Sequence, residues 1–202
     1  MTISIFGLGY VGTVSAVCLA KQGHRVIGVD TNPLKVELIN KGTTPIVEPG
    51  VEALLKQAIT ERKLSATTNL TEAVQGTDLS LICVGTPSRS NGSLSVDQVM
   101  RVAEQAGQAL RLKATYHGIV VRSTVLPGTV DKVAALVARE SGKQPGKDFG
   151  VADNPEFLRD GLEAIGDEDL ILKLLSPLRP GLIAGADGSG FQYLIMPIRL
   201  SS

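Results

Sequence analysis

Three glycines, Gly7, Gly9 and Gly12, stand at the spacing G-x-G-x-x-G. They follow the short run Ile3–Phe6 and open a stretch of helical composition. In that setting each answers a separate need. Gly7 permits a tight turn, Gly9 lets the backbone approach a diphosphate where a Cβ would clash, and Gly12 lets a helix pack closely on a strand. The first N–H groups of the helix and its positive end then face the phosphates. Asp30 closes the next apolar run, Arg25–Val29, 18 residues after Gly12. A carboxylate there accepts hydrogen bonds from the adenosine ribose hydroxyls and repels a 2′-phosphate, which favours NAD over NADP. Lys35, one helical turn into the following helix, either reaches the same ribose or is an ordinary solvated lysine.

Two later loops are polar in apolar surroundings. Gly85-Thr86-Pro87 follows the run Leu79–Val84, and Ser123 through Thr129 follows Gly118–Val121. In an open parallel sheet, ligands bind outside the carboxyl ends of the strands, so the hydroxyls of Thr86 and Thr124 could meet a cofactor ribose or a substrate. Turn chemistry and helix capping explain the same residues equally well. A third feature is Asn154-Pro155-Glu156-Phe157-Leu158-Arg159-Asp160, in which Glu156 and Asp160 are four apart and share a helix face. A carboxylate there could hold a water or act as a base; taken alone, the pair reads as a solvated first turn.

The elements that must hold these groups alternate. Strands are predicted at Ile3–Phe6, Arg25–Val29, 64–66, 79–84, 118–121 and 149–151. Helices are predicted at 10–22, 33–40, 49–60, 96–110 and 129–139, with Gly23 ending the first and Ser95 capping the fourth. Such alternation implies right-handed crossovers and a doubly wound, mostly parallel α/β sheet of the Rossmann kind, helices on both faces, strand order 3-2-1-4-5-6. This domain is expected over 1–160. From 161 to 202, Pro177, Pro180 and Pro197, with Gly181, Gly185, Gly188 and Gly190 between them, interrupt short apolar runs. An irregular tail is expected there, with a helix over 168–175.

Composition agrees. Hydrophobic residues make up 43%, aromatics only 3%, and Trp is absent, so the core must be built of Val, Ile, Leu and Ala, which suits a helix-covered parallel sheet. Lys plus Arg and Asp plus Glu number 20 each, which gives no electrostatic case for nucleic acid or an anionic membrane. Cys18 and Cys83 sit in apolar runs and read as small core residues, with neither a disulfide framework nor a metal site. The apolar N-terminus lacks the basic flank of a signal peptide, no other stretch is long enough to span a bilayer, and the chain reads as soluble and cytoplasmic.

Five segments, IFGLGYVG from Ile5, PIVEPGVEALL from Pro45, ICVGTPSRSNGSL from Ile82, VRSTVLPGTV from Val121 and NPEFLRD from Asn154, occur in an order that resembles the UDP-glucose/GDP-mannose dehydrogenase family over residues 1 to about 160. The third and fourth are most similar to its GDP-mannose members. The resemblance implies oxidation of the C6 alcohol of a nucleotide sugar to a carboxylate, with two NAD and a cysteine thiohemiacetal, in homo-oligomeric enzymes. It implies cofactor contacts at Tyr10, Val11, Asp30, Lys35, Thr86 and Thr124. Glu156 matches the glutamate that assists the water and proton chemistry. Asp160 matches a substrate contact usually made by Glu. The family's linker helix and second domain, with the nucleophilic Cys and a Lys, have no counterpart in this sequence, and the likeness fades soon after Asp160. The expectation is a cofactor-binding half, truncated or frame-shifted, that binds NAD weakly, without turnover, and tends to associate. The alternatives are the corresponding part of a UDP-glucose 6-dehydrogenase, a non-catalytic NAD-binding module, and another nicotinamide oxidoreductase such as a hydroxyacid dehydrogenase.

Overall fold

A computed structural model describes residues 1–89, 94–154, 170–173, 181–185 and 192–195. The chain divides into two compact units, Met1–Thr86 with Val96–Asn154, and Pro87–Ser95 with Pro155–Ser202.

The first unit is a six-stranded parallel sheet. Its strands are β1 (Thr2–Phe6), β2 (Arg25–Val29), β3 (Leu64–Thr67), β4 (Leu79–Ile82), β5 (His117–Val121) and β6 (Phe149–Asp153), in the order β3-β2-β1-β4-β5-β6. This is the order expected for a doubly wound sheet. Helices α1 (Tyr10–Lys21), α2 (Pro33–Asn40) and α3 (Val51–Thr60) share one apolar core with Ile3, Ile5, Val26 and Leu81. Helices α4 (Leu70–Gln75), α5 (Asp97–Leu110) and α6 (Thr129–Ser141) share the other with Phe6, Val29, Ile82 and Val121. Alternate residues of each strand thus feed opposite faces, as the pleat requires.

Register fixes where the site forms. Phe6 pairs with Val29 on one side and with Ile82 on the other. The central strands β1, β2 and β4 therefore end flush, and Gly7, Asp30 and Cys83 emerge together. Backbone bonds lock this edge: Gly7 N–H to Val29 C=O (2.8 Å) and Cys83 N–H to Phe6 C=O (2.8 Å).

Several local expectations are corrected. Ser95 does not cap α5: the helix starts at Asp97, its N-cap is Val96 without a side-chain cap, and the Ser95 N–H donates to the Pro87 carbonyl (2.9 Å). Helix α3 begins at Val51, because Gly50 takes the left-handed conformation ahead of it (φ 80°). Helix α4 has no predicted counterpart. It is short, yet Asn69 caps it through Oδ1, which accepts the Glu72 N–H at 3.2 Å. Cys18 is not a core residue. The buried stripe of α1 runs through Thr13, Ala16, Val17 and Ala20, and helical periodicity turns residue 18 out to solvent. Cys83 is buried as expected.

In the second unit, β7 (Leu170–Lys173), β8 (Gly181–Gly185) and β9 (Gln192–Ile195) form an antiparallel three-stranded sheet. The segment expected as a helix over 168–175 is thus a strand at 170–173. A short apolar run is ambiguous between the two states, and pairing with β8 decides it. Ser88 and Leu94 form an isolated antiparallel bridge. Among the described residues no helix is long and apolar enough to cross a membrane, and no cluster of side chains could hold a metal ion.

At the amino-terminal half of the central strands lies a polar core within the apolar one. Ser4, Thr77, Ser80 and His117 are buried, and Ser80 Oγ lies 2.8 Å from both Ser4 Oγ and His117 Nε2. Burial, with the Lys113 ammonium nearby, pushes His117 down from 6.5 to about 4. The unfolded chain then binds the extra proton first. The stability that neutral His117 contributes is whole above about pH 6.5, declines as pH falls and is spent below pH 4. A shift of that size corresponds to about 3 kcal/mol. Asp78 is held below the usual carboxylate range by the Thr2 N–H and hydroxyl, so its loss comes at lower pH still. We predict that urea unfolding will show stability falling by about 2–3 kcal/mol between pH 6.5 and 4, and that His117→Gln will flatten most of that slope; an equal slope in both proteins contradicts the assignment.

Candidate functional site

The β1–α1 turn is shaped by contacts only glycine allows. Gly7 has φ 96°, and a Cβ there would stand 2.8 Å from the carbonyl oxygen of Cys83. A Cβ on Gly12 would stand 1.8 Å from the carbonyl oxygen of Gly7, so α1 lies against its own entry turn. Leu8, between them, is fully buried and presses its side chain onto Gly28 of β2. Gly9 is different. It is the N-cap of α1, with extended backbone (φ −81°), and a Cβ there would meet no protein atom within 4 Å. Two glycines are thus required by the fold, and the third leaves an open place at the helix start.

That place belongs to a cleft of about 780 Å³ at the carboxyl edge of the sheet, lined by Gly7, Gly9, Asp30 and Lys35 among others. The first intrahelical bond of α1 runs from Thr13 N–H to Gly9 C=O (2.9 Å), so the first-turn amides precede the helix's own ladder and give the cleft a positive floor. Asp30 is fixed from three directions. Its Oδ2 accepts the Leu8 N–H (2.8 Å) and the Lys35 ammonium (3.3 Å), and its Oδ1 accepts the Asn32 N–H (2.9 Å). Its side chain is 10% exposed, and Lys35, at 37%, lies on its outer side. Each carboxylate oxygen keeps lone-pair capacity for a hydroxyl donor.

The other expected site residues are placed as follows. Tyr10 is exposed on the first turn of α1, its hydroxyl bonded to Glu48, and Val11 beside it is half-buried. Gly85, after β4, lines the cleft; Thr86 next to it is half-buried, and Thr124 after β5 is exposed, neither of them on the cleft wall. Neither threonine caps a helix: the caps of α5 and α6 are Val96 and Gly128. Turn chemistry instead falls to buried Ser123, whose hydroxyl lies 2.7 Å from the Val84 carbonyl and joins the ends of β5 and β4. Glu156 and Asp160 lie outside the described residues.

Sequence reasoning missed the far wall of the cleft. Thr68 and Asn69 enter from the β3–α4 connection, and Gln98, Arg101 and Gln105 from α5. The α5 residues recur every three or four positions, which shows a polar helix stripe but not what it faces. For the β3–α4 loop, the pattern Asn69-x-x-Glu72 was the usable signal of a helix start.

The fold and the cleft are those of a dinucleotide-binding domain, with Gly9 open at the start of α1 and Asp30 fixed beside it, the two positions at which the sequence reading expects a diphosphate and a ribose. Residues 1–169 match the model of the UDP-glucose/GDP-mannose dehydrogenase family, NAD binding domain, and the chain belongs to that family. Its cofactor is NAD. The chain is 57% identical over 171 residues to GDP-mannose 6-dehydrogenase of Pseudomonas syringae pv. syringae, covering 84% of this chain and 39% of that protein. It is 39% identical over 162 residues to UDP-glucose 6-dehydrogenase of Rhizobium meliloti, covering 80% and 36%. The crystal structure of a ternary complex of GDP-mannose dehydrogenase from Pseudomonas aeruginosa superposes with a TM-score of 0.76 at 55% identity, covering 78% of this chain and 36% of that one. The chain thus spans about two fifths of the length of these relatives.

The contrast between the glycines gives a test. Gly9→Ser places a good N-cap residue where no protein atom is displaced, so stability should stay within about 0.5 kcal/mol of wild type. If the diphosphate lies over Gly9 as the sequence reading expects, the same side chain obstructs it, and NAD affinity measured by calorimetry should fall at least about tenfold, or 1.4 kcal/mol. Gly12→Ala should instead lower the unfolding temperature. A Gly9→Ser protein that binds NAD normally would contradict the placement.

Proposed function

We propose that this chain is the cofactor-holding part of a nucleotide-sugar 6-dehydrogenase that converts the C6 alcohol of GDP-mannose to the carboxylate of GDP-mannuronate. The observation that carries this reading is Gly9's open place beside a fixed Asp30 in one cleft, in a chain 57% identical to a GDP-mannose 6-dehydrogenase and 39% identical to a UDP-glucose 6-dehydrogenase. Alcohol to carboxylate is a four-electron oxidation, so two NAD are consumed, each supplying a hydride acceptor when bound.

The chain's own residues bind and orient. The amides at the start of α1 take the diphosphate. Asp30 accepts from the adenosine ribose hydroxyls, and its charge repels a 2′-phosphate; Lys35 supports the carboxylate and reaches the same ribose. Tyr10, Val11, Thr86 and Thr124 are assigned further cofactor contacts by the resemblance, Glu156 the water and proton chemistry, and Asp160 a substrate contact shortened by one methylene relative to the usual Glu. In the family the nucleophilic thiol belongs to a second domain. Cys18, exposed on α1, and Cys83, buried under the glycine turn, do not take that role. The 202-residue chain by itself is therefore expected to bind NAD weakly and to form no NADH from GDP-mannose, and to reside in the cytoplasm; homo-oligomeric assembly is what the resemblance implies for the family's enzymes.

Calorimetric titration tests the reading. NAD should bind at least about tenfold more tightly than NADP, a difference of about 1.4 kcal/mol, and Asp30→Ala should weaken NAD and narrow that preference. Equal affinity for the two cofactors overturns the cofactor assignment, and NADH formed from GDP-mannose by this chain alone overturns the division of labour.

A further inference from the structure

The polar core between β1, β4 and β5 contains a buried lysine with an unusual task. Lys113, 7% exposed, donates from Nζ to the carbonyls of Val74 (2.9 Å), Gln75 (3.1 Å) and Thr77 (2.6 Å). The first two are carbonyls at the end of α4, where the helix dipole favours a cation. All three ammonium protons are used. His117 Nδ1 lies 3.1 Å from the same Thr77 carbonyl, so imidazole and ammonium share one acceptor. At its other end α4 meets the cofactor cleft: Thr68, Asn69, Leu70 and Thr71 line it. Six residues separate the two ends by only about 9 Å.

We propose that Lys113 and His117 are positioning residues for the cofactor cleft: Lys113 holds α4 by its C-terminal carbonyls, His117 shares the Thr77 carbonyl just beyond them, and a proton taken up by His117 loosens the lysine's hold and weakens NAD binding at the opposite end of the helix.

The hydroxyl chain beside His117 supports two complete hydrogen-bond arrangements. With neutral His117, Nδ1–H donates to Thr77 C=O and Nε2 accepts from Ser80, which accepts from Ser4, which accepts from Thr77 Oγ1 (3.1 Å). With charged His117, Nε2–H donates to Ser80 and the chain reverses. Ser80 then donates to Ser4, Ser4 to the Leu79 carbonyl (3.3 Å), and Thr77 Oγ1 to the Ala73 carbonyl (2.7 Å). No hydroxyl is stranded, so protonation costs no hydrogen bond within this chain of hydroxyls. Its cost is electrostatic. From the α5–β5 connection Lys113 faces the imidazole across the shared carbonyl. From the start of β4 comes Asp78, whose carboxylate is engaged by the Thr2 N–H and hydroxyl (2.9 Å each), and from beyond α6 Lys143 adds a further cation near Lys113. A second buried cation on one carbonyl displaces the ammonium, and the α4 carbonyls lose their donor. The Ser80–His117 pair is not a nucleophile, because both residues are fully buried.

The inference rests on the NAD-binding reading, and the test separates the two. The chain has two histidines, so the imidazole resonances of His117 can be followed by NMR with His24 as internal reference. Saturating NAD should lower the His117 midpoint by about half a unit or more, the reciprocal of an about threefold weaker affinity for the charged state, and leave His24 unmoved. Calorimetry from pH 7 to 4 should show this loss in wild type beyond that seen in His117→Gln, which cancels the titration of NAD itself. Amide exchange of Leu70–Gln75, relative to α1, should quicken on acidification in wild type but not in the variant. A His117 midpoint indifferent to bound NAD overturns the proposal. If NAD does not bind at pH 7, the functional reading fails, and the exchange of α4 alone decides whether the clasp exists: equal responses of α4 and α1 overturn it.

Discussion

The structure depends on how closely helix α1 meets its own entry turn. A Cβ at residue 12 would stand 1.8 Å from the Gly7 carbonyl oxygen, and one at residue 7 would stand 2.8 Å from that of Cys83. Three backbones converge there: the end of β1, the end of β4 and the first turn of α1. With both side chains absent, the helix axis points at the edge where the central strands stop. Its amides and positive end then face the crevice, and Gly9 leaves that face uncovered. The open place at the helix start is thus a by-product of packing that the sheet already requires.

Asp30 joins this arrangement to the second strand. Its carboxylate accepts the Leu8 amide, so the residue read as a ribose acceptor also pins the glycine turn. Leu8 is seated over Gly28 of the same strand. The proposed ribose contact and the turn geometry therefore share one carboxylate, and its loss would act on both. The Lys35 ammonium balances the charge on the outer side while leaving lone pairs for a sugar hydroxyl.

Much of this was legible in the sequence because it is local. The glycine spacing, the strand before it and Asp30 after the next strand follow from chain chemistry a few residues long, and the alternation of strands and helices then allows few topologies. What the sequence did not show is what depends on contacts between distant segments. Residue 18 lies in an apolar run, and only the packing of α1 on the sheet decides that Cys18 faces outward. The run at 170–173 becomes a strand by pairing with β8. Polar residues of α5 line the cleft because β4 delivers that helix to the edge where β1 ends. The buried lysine and histidine gave no signal, since Lys113 and His117 meet residues about 40 positions upstream.

The central claim, that the carboxyl edge of the sheet holds the dinucleotide with its diphosphate on the start of α1, is tested most directly by mapping backbone amide shifts of the isotope-labelled chain on titration with NAD. The account predicts the largest changes at Gly7–Gly12, with further changes at Asp30, Lys35 and Thr68–Thr71, and none along the exposed side of α6. Changes that leave Gly7–Gly12 untouched while NAD binds would contradict it.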